Sequence, residues 1–190
     1  LINAHYLAEK IEEFVRKSDI NADIKVVRED TILGTGGGIF NMLPFITDSE
    51  FIVYNTDVVC DIDLASLARF HCDNGPLATM VMQNRETFNQ VVIDGDGHFC
   101  GLKLVKKGIE KISRKPVNGH TLLAFCGIHA ISKDIMKYAQ ENTEYSIIDV
   151  YLKAAGAGER IIAYQPELNW FDIGTIEKLR SAEDFLRSQS

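Results

Sequence analysis

The sequence predicts an α/β fold, with helices layered on a mixed, mostly parallel sheet, and three observations carry that expectation. Runs of β-branched and aromatic residues alternate with amphipathic helical periods along all 190 residues. A glycine-dense stretch, "LGTGGGIF" over 33–40, stands between a strand-like run and a helix-like one. Two of the strand-like runs close on an aspartate, Asp57 and Asp172, and open α/β sheets bind ligands beyond the carboxyl ends of their strands.

The elements follow in order. Leu7, Ile11, Phe14 and Val15 fall on one face of a 3.6-residue period and predict a helix over 5–17. "ADIKVV" (22–27) reads as a short strand, followed by the glycines. Glycine inside a regular element costs about 0.5–1 kcal/mol relative to alanine, so those glycines read as a turn leading to a helix over 38–46 that ends near Pro44. "EFIVYNTD" (50–57) is a strand ending on a carboxylate. "DLASLARFHCDNG" (63–75) is a helix with Asp63 as its N-cap and Asn74-Gly75 as its stop. "LATMVMQ" (77–83) is a buried strand, and 89–115 holds a hairpin turning on Asp94-Gly95-Asp96-Gly97. A strand at 122–131, a helix at 146–158, strand material at 160–172 and a terminal helix at 175–188 capped by Thr175 complete the chain. The hairpin makes the sheet mixed.

Composition narrows the function. The chain is 46% hydrophobic and 25% charged, with a net charge of −7 and no Lys/Arg run, which argues against a nucleic-acid partner. An anionic substrate then requires a metal or a local basic pocket. No stretch approaches the roughly 18 apolar residues of a membrane span, so no membrane partner is expected. Cys60, Cys72, Cys100 and Cys126 lie far apart among apolar neighbours and read as reduced core residues of a cytoplasmic protein. "LINAHYL" opens as though at the end of a strand, and we expect a piece before Leu1.

The glycine stretch is neither a P-loop, since no lysine follows it, nor a dinucleotide fingerprint, since Ile39 occupies the third glycine position. It still offers bare backbone N–H groups at a helix N-terminus, suited to a ligand's phosphates or base; a tight turn against neighbouring backbone is the plainer reading. Two strand-end aspartates beside such a loop suggest Mg²⁺ held by carboxylates and shared with phosphate oxygens. "DGDGH" (94–98) lacks the later ligands of a calcium loop, and the five histidines have no ligand spacing.

The ordered set "INAHYLAEKIEEF", "EDTILGTGGGI", "FIVYNTD", "DLASLARFH", "FCGI" and "WFDIGT" resembles the sugar-1-phosphate nucleotidyltransferases over nearly the whole chain. The "TGGGI" form is most similar to short bacterial members, such as N-acetylmuramate-1-phosphate uridylyltransferases and mannose-1-phosphate guanylyltransferases. The resemblance implies a three-layer, Rossmann-like nucleotide-diphospho-sugar transferase fold and a single domain over 1–190. It implies Mg-dependent joining of a nucleoside triphosphate, UTP or GTP, to a sugar 1-phosphate in a monomer or homodimer. By residue, it implies that Glu29, Gly34, Thr35 and Gly36 contact the nucleotide, and that Gly127 contacts the sugar. Asp57 and Asp172 would hold the metal and Lys115 would be the catalytic lysine, with Lys111 its rival. Thr56 replaces a usual glycine before the first metal aspartate, and Arg114 a usual glutamate before the lysine. The family's opening strand and phosphate loop have no counterpart in this sequence, so the 190-residue chain alone is expected to be inactive. The rival readings are a catalytically silent regulatory subunit and a cytidylyltransferase for an alcohol phosphate such as choline phosphate.

Overall fold

The computed structural model describes residues 1–140 and 144–188, without the side chain of Ser188. In chain order the elements are β1 (Ile2–Ala4), α1 (Ala8–Lys17), β2 (Val26–Arg28), α2 (Gly34–Met42), β3 (Glu50–Tyr54), β4 (Val58–Cys60), α3 (Leu64–Asn74) and β5 (Ala78–Gln83). There follow β6 (Asn89–Asp94), β7 (Phe99–Leu104), β8 (Ile109–Ile112), β9 (His120–Ser132), α4 (Ile147–Gly156), β10 (Ile161–Tyr164), β11 (Trp170–Asp172) and α5 (Ile176–Ser188). Helix α3 forms where its caps predict. The Asp63 carboxylate accepts from the N–H groups of Ala65 and Ser66, and Gly75 ends the helix in a left-handed conformation. Helix α2 gives way to a 3₁₀ turn over Leu43–Phe45, as Pro44 requires.

The main sheet has seven strands in the order β10-β5-β9-β6-β7-β8, with β3 beside the C-terminal half of β9. It is mixed, as expected, but not mostly parallel: β10–β5 is its one parallel pair. The reason lies in the connections. From Asn89 to Ser132 the chain runs through successive hairpins, and long β9 then lies antiparallel to β3, β5 and β6. Two small sheets stand apart, β1 with β2 in parallel and β4 with β11 antiparallel.

Alternation along β5 separates two cores. Met80 and Met82 pack with Val91, Ile93 and the α4 residues Val150 and Tyr151 on one face. Val81 packs with Cys126, Ile128 and Leu67 of α3 on the other. Helices on both faces of a sheet make three layers. Cys100 and Cys126 are buried as expected and Cys60 half-buried, whereas Cys72 is exposed, on the outer side of α3.

The glycine stretch is a correction. Gly34 to Gly38 are not a loop before a helix but the first turns of α2 itself. Propensity loses here to close packing, because side chains at Gly34, Gly36 and Gly38 would strike neighbouring elements.

Candidate active site

A cleft of about 860 Å³ opens between β1, the start of α2 and the end of β3. Gly34, Thr35 and Gly38 of α2 line it, with Asn3 of β1 and the segment from Phe51 to Asp57. Among the described residues β1 and β3 each pair on one side only, and both border this cleft.

The α2 glycines are fixed by the start of α4. Gly34 has φ +71°, and a Cβ there would meet the Tyr145 carbonyl oxygen at 2.6 Å. A Cβ on Gly36 would lie 2.5 Å from the Tyr145 ring. The Gly36 N–H donates to the Tyr145 carbonyl (2.9 Å), and the Ile147 N–H donates to the Thr35 hydroxyl (3.0 Å). The plainer reading of these glycines, close packing on a neighbouring segment, therefore describes both Gly34 and Gly36; Gly36 does not line the cleft, while Gly34 and Thr35 line it as well. Glu29 is absent from the lining too. Its carboxylate accepts from Asn3 Nδ2 (2.8 Å) and from the Leu33 N–H (3.2 Å), fastening β1 to the segment before α2.

Asp57 lies in the turn between β3 and β4 and lines the cleft. Its carbonyl accepts from the N–H of Ile173 (2.8 Å), and Val58 pairs with Asp172 across the β4–β11 ribbon. Two aspartates 115 positions apart in sequence are thus brought to adjoining strand ends. Their surroundings differ. Asp172 borders a second hollow of about 440 Å³, together with Arg85, Glu86, Trp170 and Lys178.

In that hollow the Asp172 carboxylate accepts from Lys178 Nζ (2.6 Å) and from the Gly174 N–H (2.8 Å). The Lys178 hydrogen bond, and then the Gly174 N–H, hold its carboxyl below the usual range. Both partners of the ion pair are well exposed, so the pair contributes little to stability. Arg85 lies over the Trp170 ring, 3.9 Å from its centroid, and donates to the Phe125 carbonyl (3.1 Å). Trp170 Nε1 donates to the Cys126 carbonyl (2.9 Å). Burial pushes the Cys126 thiol up to about 11, the nearby Arg85 opposing that rise.

Gly127 completes this strand segment. Its φ is +75°, a Cβ would meet Asn55 Nδ2 at 2.9 Å, and its carbonyl accepts from the Asn55 N–H (2.9 Å). Lys115 lies exposed beyond β8 and lines neither hollow, and Lys111 sits 3.8 Å from Asp149 of α4. Arg85 and Lys178 are the cations that sequence reasoning missed. Lys178 was legible only as a first-turn residue of the last helix, and nothing in the sequence marks Arg85.

Among the described residues no group of three or more His, Cys, Asp or Glu side chains could hold a metal. Two carboxylates at adjoining strand ends nevertheless suit Mg²⁺, which takes one or two protein carboxylates and completes its shell with water and phosphate oxygens. The Lys178 ammonium on Asp172 already shows that carboxylate holding a positive charge.

The family model described as Nucleotidyl transferase matches residues 1–189. A UTP–glucose-1-phosphate uridylyltransferase of Synechocystis is 23% identical over 93% of the chain. A mannose-1-phosphate guanylyltransferase of Mycobacterium tuberculosis is 26% identical over 92%. The chain spans about half the length of these curated relatives, 48% of each. Among solved structures, HddC from Yersinia pseudotuberculosis superposes with a TM-score of 0.73 at 22% identity, covering 96% of this chain and 76% of that one. A UDP-glucose pyrophosphorylase complexed with UDP-glucose superposes with a TM-score of 0.67 at 18% identity, covering 99% of this chain and 75% of that one.

Proposed function

We propose, from the premise that this chain belongs to the nucleotidyl transferase family, that it is the core of an enzyme joining a nucleoside triphosphate to a sugar 1-phosphate with release of pyrophosphate. One observation carries the reading. Asp57 and Asp172 stand at adjoining strand ends, one bordering a cleft with a glycine-rich helix start and the other a hollow containing two cations. That arrangement suits two anionic substrates meeting at a shared edge.

The nucleotide lies in the cleft, where Gly34 and Thr35 let it approach backbone, and the sugar phosphate lies beside Asp172. An oxygen of the sugar phosphate attacks the α-phosphorus in line; a new P–O bond forms as the α–β P–O bond breaks, and the electron pair leaves with pyrophosphate. The attacking phosphate is already anionic, so no side chain must take a proton. The protein's work is positioning and charge neutralisation. Asp57 and Asp172 would hold Mg²⁺, which when bound supplies Lewis-acid polarisation of phosphoryl oxygens and a template for both reactants. Glu29 keeps a part at one remove, as the anchor of Asn3 at the cleft wall. Lys115 remains a candidate for neutralising the sugar phosphate, a role that rests on the family resemblance. The base is uracil or guanine, in line with the names of the two relatives above.

The test is pyrophosphate release by the full-length protein across the four common triphosphates and several sugar 1-phosphates. Turnover with UTP or GTP and one sugar phosphate supports the reading. Its absence with every pair overturns it in favour of a silent nucleotide-sugar-binding subunit, and turnover confined to CTP and choline phosphate favours an alcohol-phosphate cytidylyltransferase.

A further inference from the structure

The hollow around Arg85 has features that the aspartate pair leaves unexplained. Among the described residues, Arg85 Nε is the one buried side-chain nitrogen or oxygen without a hydrogen-bond partner. An arginine left short of acceptors is costly unless something else requires it there. The guanidinium is also held in place, over Trp170 and against the Phe125 carbonyl, while Trp170 is itself anchored to the Cys126 carbonyl. A planar, pre-positioned fork of donors is what phosphate recognition favours, because little side-chain freedom remains to be lost on binding.

The charges around it point the same way. Arg85 and Lys178 face the carboxylates of Asp172 and Glu86, so the hollow is balanced as it stands. Lys178 is committed to Asp172 (2.6 Å). Were Asp172 to hold a divalent cation, Lys178 would be free to meet an anion alongside Arg85. In a chain of net charge −7, a phosphomonoester needs such a local reserve of positive charge. Thr87 and Ser181 add hydroxyls, and Trp170 and Phe171 an aromatic wall, the mixture that suits a sugar ring bearing a phosphate.

We infer that Arg85 and Lys178 form the subsite for the phosphate of the sugar phosphate, with Trp170 as the wall beside it. The identity of the molecule carrying the phosphate rests on the proposed transferase reading; the anion subsite itself does not.

Calorimetric titration of the full-length protein in magnesium-containing buffer, with glucose 1-phosphate, inorganic phosphate and UTP in turn, tests this. Arg85→Gln should weaken both phosphates by about tenfold or more, the usual scale for a lost charged hydrogen bond, while UTP affinity stays within about twofold. Lys178→Gln should act in the same direction. Its side chain is half exposed, so folding is preserved and the test survives a misfolded Arg85 variant. Unchanged phosphate affinity in both variants, a loss confined to UTP, or no phosphate binding by the wild type overturns the subsite. Loss of inorganic phosphate binding in the variants of a protein that turns over no sugar phosphate upholds the subsite while the transferase reading falls. Turnover with unchanged KM for the sugar phosphate in both variants upholds the transferase and sinks the subsite.

Discussion

His129 should make the protein sensitive to mild acid, by an amount that follows from its burial. It lies within β9, 1% exposed, with Nδ1 2.5 Å from the Tyr151 hydroxyl of α4 and the Phe125 ring against its edge. No acidic group appears among these partners, and burial depresses its pKa from 6.5 to about 3. The folded protein therefore keeps this imidazole neutral through the range in which the unfolded chain takes up a proton. A depressed folded value means the contribution to stability is intact above 6.5 and is lost as pH falls toward 3. At about 1.36 kcal/mol per pH unit, going from about pH 7.5 to about pH 5 costs about 2 kcal/mol from this residue alone. Urea unfolding at the two pH values measures the loss in wild type and in His129→Gln, which keeps a hydrogen-bonding group toward Tyr151 but does not titrate. The variant has its own stability at neutral pH, so the comparison lies in the slopes, and its acid loss should be smaller than that of wild type by about 2 kcal/mol. Equal losses would refute the claim that this histidine stays neutral in the fold.

Other consequences are as direct. Gly127→Ala places a side chain at φ +75°, at a cost of about 1–2 kcal/mol for a left-handed residue, and should lower the thermal midpoint by a few degrees. Removing the Asn55 side chain beyond its Cβ in the same chain should restore only part of the loss, since the Asn55 Cβ itself would lie 3.2 Å from the new methyl and the positive φ remains. Gly36→Ala, whose Cβ would lie 2.5 Å from the Tyr145 ring, should cost about 1–3 kcal/mol by overpacking and weaken triphosphate binding in calorimetry, because Gly34 and Thr35 shift with it. On the proposed transferase reading, Asp57→Ala in the full-length protein should reduce kcat by about a hundredfold or more at nearly unchanged thermal stability; wild-type turnover would remove it from the site.

Local signals were legible wherever one element decides its own fate. Asp63 and Gly75 bracket α3 as their chemistry requires, and the Asp94 to Gly97 turn joins β6 to β7. Pairing direction was not legible, because alternating strands and helices do not reveal that β9 runs long enough to serve three neighbours in reverse. The glycines misled for a related reason. Their cost is intrinsic, but the need for Gly34 and Gly36 comes from Tyr145, more than a hundred residues away, and that for Gly38 from Asn3 and Glu29. At the site, Asp57 and Asp172 stood out as strand-end carboxylates, whereas the Arg85 contacts to Phe125 and Trp170 are long-range and leave no local pattern.

The strongest unity of the site lies in three consecutive residues of β9. The carbonyl of Phe125 holds Arg85, that of Cys126 holds Trp170, and that of Gly127 holds Asn55 at the entrance to the Asp57 turn. A regular ladder could not supply all three, since its carbonyls alternate between neighbouring strands and are consumed there. Here the pairing of β5 with β9 slips, so that the step from Met80 to Met82 spans Phe125 to His129 on the partner. The slip needs a residue that accepts positive φ, which Gly127 provides. The "FCG" segment thus joins the cleft wall to the cation-bearing hollow through three consecutive carbonyls. A substitution at Gly127 should therefore disturb the affinities for both proposed substrates together, whereas one at Arg85 should disturb only that for the sugar phosphate.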